Sequence, residues 1–298
     1  MRSQALLAAV TLCALGAIPV VAQSPRTDPR DFVVTTEWLA AHRADRDLVL
    51  VHVVQDTADR SEQIPGSRRL WYRALVTTRD GVSSELPAVD TIRAALERLG
   101  VTNRSHVVVY ASEAPMATRL LFTLDYMGHD RLSFLDGGLR KWMREGRAVT
   151  AVAESPAPST FTPHPRAELV ASAQYVSDHL AGPGLALIDT RTTDEYLGTS
   201  TSARLPSAGH LAGARQLEWQ ELFSDAEFST LRSRDTLEKM YAERVRPSDT
   251  VVTYCWVGYR GSATYFVARY LGYDVKLYDG SYQDWAQRKL PVRTGAAP

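Results

Sequence analysis

Residues 251–285 read VVTYCWVGYRGSATYFVARYLGYDVKLYDGSYQDW. A β-branched run, Thr250 to Tyr254, ends on Cys255. Gly258, Arg260 and Gly261 follow, Ala263 to Leu271 has a helical pattern, and Val275 to Tyr278 reads as a second buried strand. The chain contains this passage twice. Residues 107–142 read VVVYASEAPMATRLLFTLDYMGHDRLSFLDGGLRKW, and Val107, Gly128 and Asp130 match Val251, Gly272 and Asp274 at an offset of 144. After one residue of slippage, Asp136-Gly137 matches Asp279-Gly280 and Trp142 matches Trp285. Upstream, IPGS (64–67) matches LAGA (211–214), and LVLVHVV (48–54) matches LALIDTR (185–191). So long a period is a duplicated domain and not a solenoid repeat. In the second copy Leu185 to Asp189 also reads as a strand, and Ala171 to Leu180 and Thr236 to Arg244 as helices. This alternation predicts an α/β fold in each copy, a mostly parallel sheet flanked by helices. Ligands of such sheets bind beyond the carboxyl ends of the strands, which is where Cys255 falls.

The boundaries follow from composition. Met1-Arg2 is a short basic start, Ala5 to Ala22 is an apolar run, and Val20-Val21-Ala22 fits a small-residue cleavage site. Residues 1–22 therefore read as a signal peptide, with an uncleaved membrane anchor as the alternative. Cys13 follows Leu12, which does not suit a lipoprotein signal. The expectation is a periplasmic or secreted protein with no stable membrane association once the signal is removed. Residues 30–150 form the first domain, the proline-rich stretch 151–168 a linker, and 169–294 the second domain. Of 298 residues, 34 are Lys or Arg and 34 Asp or Glu, so the formal charge is zero and nothing draws the chain to nucleic acid. Cys13 and Cys255 are the two cysteines; after cleavage Cys255 has no partner for an internal disulfide.

A lone thiol in an oxidising compartment is either buried and inert or exposed and used. The turn Cys255-Trp256-Val257-Gly258-Tyr259-Arg260-Gly261-Ser262 favours use. Its glycines permit a tight curl, and amides turned inward ahead of a helix N-terminus form an anion-binding nest. A thiolate at the mouth of that nest is stabilised, and Arg260 adds a cation. In the first copy Ala111 replaces Cys255, Ala114 replaces Gly258 and Met116 replaces Arg260. The thiol, the glycine and the cation are absent together, so the first domain is expected to be an inactive wall of the cleft.

These features carry a resemblance. The cysteine loop, IDTR (188–191), EYLG (195–198), AGHLAGA (208–214) and LYDGSYQDW (277–285), in order and within a duplication, resemble the tandem-domain rhodaneses, which are thiosulfate and 3-mercaptopyruvate sulfurtransferases. The resemblance implies two tandem rhodanese-like domains and a Cys255 persulfide as intermediate. It also implies a small sulfur donor, a thiol or cyanide acceptor, no metal or organic cofactor, and a monomer or weak oligomer. Arg191, Arg204 and Arg260 become substrate-binding candidates, with a structural ion pair as the alternative for Arg191. Glu195 and Leu197 occupy places where family members carry substrate-binding arginines. Asp189 and His210 are read as structural support, Asp279 as a turn residue and Trp285 as core. Thiosulfate enzymes commonly show C-R-K-G-V-T and mercaptopyruvate enzymes C-G-S-G-V-T; Trp256 and Val257 depart from both, so the loop does not assign the donor. Trp256 reads either as a lid over the donor or as packing between the domains.

Three other functions compete. A cysteine phosphatase needs a longer loop than the four residues separating Cys255 from Arg260. A binding module would not need the thiol. A sulfur carrier would hand its persulfide to one protein and turn over slowly with small acceptors.

Overall fold

The computed structural model describes residues 32–298 except 57, 59–60, 181 and 201–206. The expected signal peptide and Arg204 lie outside the described residues. In the first domain β1 (Val33–Val34), α1 (Thr36–His42), β2 (Leu48–Val54) and β3 (Arg68–Trp71) precede a hairpin, β4 (Thr77–Arg79) and β5 (Val82–Glu85). Then come α2 (Val89–Arg98), β6 (His106–Ala111), α3 (Ala114–Tyr126), β7 (Leu132–Leu135) and α4 (Gly138–Arg144). The second domain runs β8 (Val170–Ala171), α5 (Ala173–His179), β9 (Leu185–Asp189), α6 (Thr193–Leu197), β10 (His210–Leu211) and β11 (Arg215–Gln216). It ends with α7 (Arg234–Ala242), β12 (Thr250–Tyr254), α8 (Gly261–Leu271), β13 (Val275–Tyr278), α9 (Ser281–Gln287) and β14 (Val292–Arg293).

Each domain is built on a five-stranded parallel sheet, ordered β1-β7-β6-β2-β3 in the first and β8-β13-β12-β9-β11 in the second. The two orders correspond strand for strand. The central strands are continuous apolar runs because helices cover both faces; Val49, Val51 and Val53 on β2 and Val251 and Val252 on β12 are buried. Local signals start the helices. Thr35 accepts the Trp38 amide ahead of α1, Ser172 accepts the Tyr175 amide ahead of α5, and Thr192 forms a capping box with Glu195 ahead of α6.

Helices α3 and α8 are apolar over most of their surface, which fits burial on all sides. They pack against each other between the domains. Thr118 Oγ1 lies 2.9 Å from Ser262 Oγ, and Asp125 accepts from Arg269 Nε at 2.9 Å. Both pairs join residues 144 apart, that is, each residue to its own counterpart. Only residues near a two-fold axis can meet their own equivalents, so a pseudo-two-fold axis runs between α3 and α8. The Phe122 and Tyr265 rings meet edge to face at 4.9 Å in the same seam. The same symmetry appears farther out. The Leu86 amide donates to Asp279 Oδ2 (2.7 Å), and the Leu231 amide donates to Asp136 Oδ1 (2.8 Å).

The 151–168 segment lies along the first domain. Glu154 N bonds Ser67 O, Ser159 N bonds Glu97 O and Arg166 N bonds Tyr126 O, while the Phe161 ring is buried. No helix among the described residues is long and apolar enough to cross a membrane.

Candidate active site

Cys255 follows the last residue of β12 and is fully buried. The loop from Cys255 to Arg260 then enters α8. Its shape is fixed from outside by a residue the sequence reading did not single out. Ser281 Oγ accepts the amides of Cys255 (3.2 Å) and Gly258 (2.9 Å) and donates to Tyr278 O (2.8 Å). Ser281 has φ +54°, a left-handed conformation unusual for a side-chain-bearing residue. Its counterpart in the first copy is Gly138, with φ +50°. That exchange, read off the repeat, was the available signal. The inward-facing nest expected from sequence is therefore only partly available, because two of its amides belong to Ser281. The amides of Trp256, Val257, Tyr259 and Arg260 have no partner among the described residues.

Gly258 stands at φ +77°, and a Cβ there would fall 2.7 Å from both Asp279 O and Asp279 Oδ1, and 3.3 Å from Arg119 Nη1. Glycine is thus required for two reasons, conformation and space. The neighbours it admits come from both domains. Arg119, from α3, is fully buried, and its Nη1 and Nη2 both reach the Asp279 carboxylate, with Nη2 also donating to Ser84 O at 2.9 Å. Asp279 is thus more than a turn residue: it ties β13 of the second domain to α3 and the hairpin of the first.

The other guanidiniums are also neutralised. Arg260 makes a bidentate pair with Glu195, at 2.7 and 2.9 Å. Burial alone would raise the Glu195 carboxyl, but Arg260 and the Thr192 amide more than offset it and hold it below the ordinary value. Arg191 is buried against Asp189, with Nη2 to Oδ2 at 2.6 Å, donates to Gly209 O, and lies 4.0 Å from the centroid of the Tyr282 ring. In this position it braces the turn beyond β9. Asp189 also accepts the Tyr254 hydroxyl at 2.6 Å, and that hydroxyl in turn accepts the Leu211 amide. His210 stacks on Tyr196 and places its ring nitrogens against Tyr196 O and Ala297 O. Trp285 is buried, with its indole N–H on Pro291 O.

Trp256 stacks on Tyr282 within its own domain (6.1 Å) and packs on the second-domain core instead of between the domains. The loop residue that crosses between domains is Tyr259. Its hydroxyl donates to Glu113 Oε2 at 2.9 Å, and its ring meets Tyr72 edge-on at 5.3 Å. Burial, partly opposed by Arg119, pushes the Tyr72 phenol up to about 12, so it remains a protonated donor at neutral pH. Ser84 lies near the Tyr72 hydroxyl without hydrogen-bond geometry.

The first copy has no such loop. Gly261 corresponds to Ala117, yet α3 already begins at Ala114, so the loop has been drawn into the helix. A cavity of about 320 Å³ remains there, lined in part by Ala111, Ser112, Gly138 and Arg140.

Comparison with known proteins places this arrangement. The Rhodanese-like domain profile matches residues 35–145 and again 172–288. A thiosulfate sulfurtransferase of Corynebacterium glutamicum is 31% identical over 286 residues, covering 88% of this chain and 90% of the relative. One from Pseudomonas aeruginosa is 30% identical over 259 residues, covering 85% and 93%. A sulfur carrier protein of Thermus thermophilus is 29% identical over 287 residues, covering 89% and 97%. Among solved structures, an anaerobic ergothioneine biosynthesis enzyme from Chlorobium limicola superposes with a TM-score of 0.78 at 24% identity, covering 90% of this chain and 71% of that one. At that identity the likeness speaks to the fold alone.

Proposed function

Because the chain belongs to the rhodanese family and is a sulfurtransferase of that type, we propose that its second domain moves a sulfane sulfur through a Cys255 persulfide. The Cys255 thiolate attacks the sulfane sulfur of a small donor. With thiosulfate, the donor's S–S bond breaks and sulfite leaves with the electron pair; with 3-mercaptopyruvate, whose transferable sulfur is a thiol, the C–S bond breaks and pyruvate leaves with the pair as its enolate. The acceptor, cyanide or a thiolate, then attacks the outer sulfur, and Cys255 departs as thiolate. Two half-reactions give ping-pong kinetics.

One observation carries the reading. Cys255 opens a loop whose four unpartnered amides remain available, at the carboxyl end of a central strand, whereas Ala111 in the other copy leads straight into a helix. N–H groups that face no protein acceptor are suited to the negative charge of a persulfide. A phosphatase is disfavoured by the short loop and by the pairing of Arg260 with Glu195.

The sulfur-carrier relative supports a second reading, in which the persulfide passes to a protein. The complete burial of Cys255 favours small donors and acceptors over a docked protein thiol. The basic and then apolar N-terminus supports export, checked by intact mass of the mature chain.

The test is mass spectrometry after separate incubation with thiosulfate and 3-mercaptopyruvate. A gain of one sulfur on Cys255, removed by cyanide over many turnovers, is expected. Cys255→Ala should fold normally and transfer nothing; normal turnover by that variant would overturn the assignment. Loading followed by a single slow release would favour the carrier.

A further inference from the structure

The three described guanidiniums around the cysteine loop are all paired, Arg119 with Asp279, Arg191 with Asp189 and Arg260 with Glu195. Recognition of a donor's acidic group by these residues therefore falls to neutral donors. Two buried hydroxyls stand beside the site without partners, Tyr72 Oη and Thr190 Oγ1.

Thr190 is fully buried and follows the last β9 residue. Tyr254 is in register with Asp189, and the Thr190 amide bonds Tyr254 O at 3.0 Å, so one step further along the sheet Thr190 is the lateral neighbour of Cys255. Neighbours in register on a parallel sheet project to the same face. Tyr72 approaches from the first domain, its ring against Tyr259 of the cysteine loop. An unpaired buried hydroxyl is costly and calls for an explanation, of which a bound substrate is one.

The duplication supplies an independent control. By the LVLVHVV/LALIDTR match, Thr190 corresponds to Val53, and by the IPGS/LAGA match, Tyr72 corresponds to Trp219. Both hydroxyls thus attend the copy that keeps the cysteine, and neither has a hydroxyl counterpart at the copy that lost it. A core requirement common to the two domains would have left hydroxyls on both sides of the axis.

We propose that the Tyr72 and Thr190 hydroxyls bind the oxyanion group of the sulfur donor, the sulfonate of thiosulfate or the carboxylate of 3-mercaptopyruvate, so that the first domain contributes a substrate-binding residue. This rests on the Cys255 reading given above. Both hydroxyls donate a proton into a hydrogen bond and neither transfers it. They hold the donor while its sulfane sulfur is presented to Cys255. A donor consisting only of sulfur has no oxygen for them to bind.

Two measurements separate this inference from the reading beneath it. The first is calorimetric binding of thiosulfate to the Cys255→Ser protein, where no chemistry occurs, alone and with Tyr72→Phe or Thr190→Val. Each hydroxyl removed should weaken binding about tenfold, as expected for one hydrogen bond to a charged group. The second is single-turnover loading of the Cys255-containing protein. Half-saturation by thiosulfate and by 3-mercaptopyruvate should rise about tenfold in Tyr72→Phe, while loading by inorganic polysulfide and discharge to cyanide stay unchanged. Removing an unpaired hydroxyl should leave the melting temperature equal or higher. Unchanged thiosulfate affinity in both variants, no binding to the Cys255→Ser protein, or polysulfide loading impaired as much as thiosulfate loading would each overturn the inference. Failure of the otherwise wild-type protein to load with any donor overturns the persulfide reading, and the binding measurement still decides the role of the hydroxyls.

Discussion

Ser281→Ala probes the structure most directly, because it removes one oxygen and nothing else. That oxygen accepts the amides of Cys255 and Gly258 and anchors them to Tyr278 O. Truncation leaves two buried amides without an acceptor, each worth roughly 1–3 kcal/mol when unsatisfied. Alanine also keeps the left-handed backbone that serine already bears, so no strain is relieved. The expected loss is about 2–4 kcal/mol in the second domain, allowing for partial relaxation of the loop. Ser281→Gly loses the same hydrogen bonds but sheds the left-handed penalty, about 1–2 kcal/mol, and should recover part of the stability without recovering the loop. Urea denaturation gives the stabilities, and persulfide loading of Cys255 reports whether the loop keeps its shape. Both variants should load much more slowly than wild type, with glycine the more stable of the two. If Ser281→Ala unfolded at the wild-type midpoint and loaded sulfur at the wild-type rate, the hydroxyl would not be what holds the loop.

Other expectations follow from the charge pairs. Since the Glu195 carboxyl is held below its ordinary value, its pair with Arg260 contributes fully above the usual glutamate range, near pH 4.3, and the contribution is lost as pH falls through the lowered folded value. Glu195→Gln should therefore flatten the acid limb of the stability–pH curve; an unchanged slope would refute the linkage. The same variant unmasks the Arg260 cation and should lower KM for thiosulfate, in steady-state assays at low salt. Asp125 receives Tyr265 and Arg269 across the interdomain seam and Arg166 from the linker. Asp125→Ala should cost about 3–5 kcal/mol, as expected when a buried ion pair loses one partner; a melting temperature within a degree of wild type would show the seam does not depend on it.

Much of this was legible in the sequence because duplication makes a chain its own comparison. The Val107/Val251 register fixed corresponding strands, and Ala111 against Cys255 told the two sites apart. Local patterns were equally readable, including the central strands and the buried Trp285. What escaped were contacts between parts of the chain that no local pattern joins. Tyr72 and Arg119 reach the cysteine loop only because α3 and the β3–β5 region fold across the pseudo-two-fold axis. Arg260 read as a free cation because Glu195 becomes its partner only through the approach of α6 to the loop, while Arg191, open between a cleft role and a structural ion pair, is found paired with Asp189 at the turn beyond β9. Trp256 was ambiguous because stacking on Tyr282 depends on how α9 begins beneath the loop.

The division of labour between the copies follows from what each backbone tolerates. The second domain keeps Ser281 in a left-handed conformation and keeps Gly258 where any side chain would strike Asp279 and Arg119. Such local costs persist where the surrounding structure imposes them and function needs them. In the first domain glycine at 138 relieves the conformational cost, Ala114 can replace Gly258 because the chain there is already helical, and no amide loop remains to be held. With the loop gone, the Ser281 equivalent has nothing to anchor and the Thr190 equivalent, Val53, is free to be apolar core. Restoring a cysteine at Ala111 alone should therefore yield a thiol without sulfur-transfer activity, because, of the counterparts of the four open amides, Pro115 has no N–H and the Met116 amide bonds Glu113 O. Turnover by Ala111→Cys in a Cys255→Ala background would show that the thiol, and not the loop, sets the chemistry.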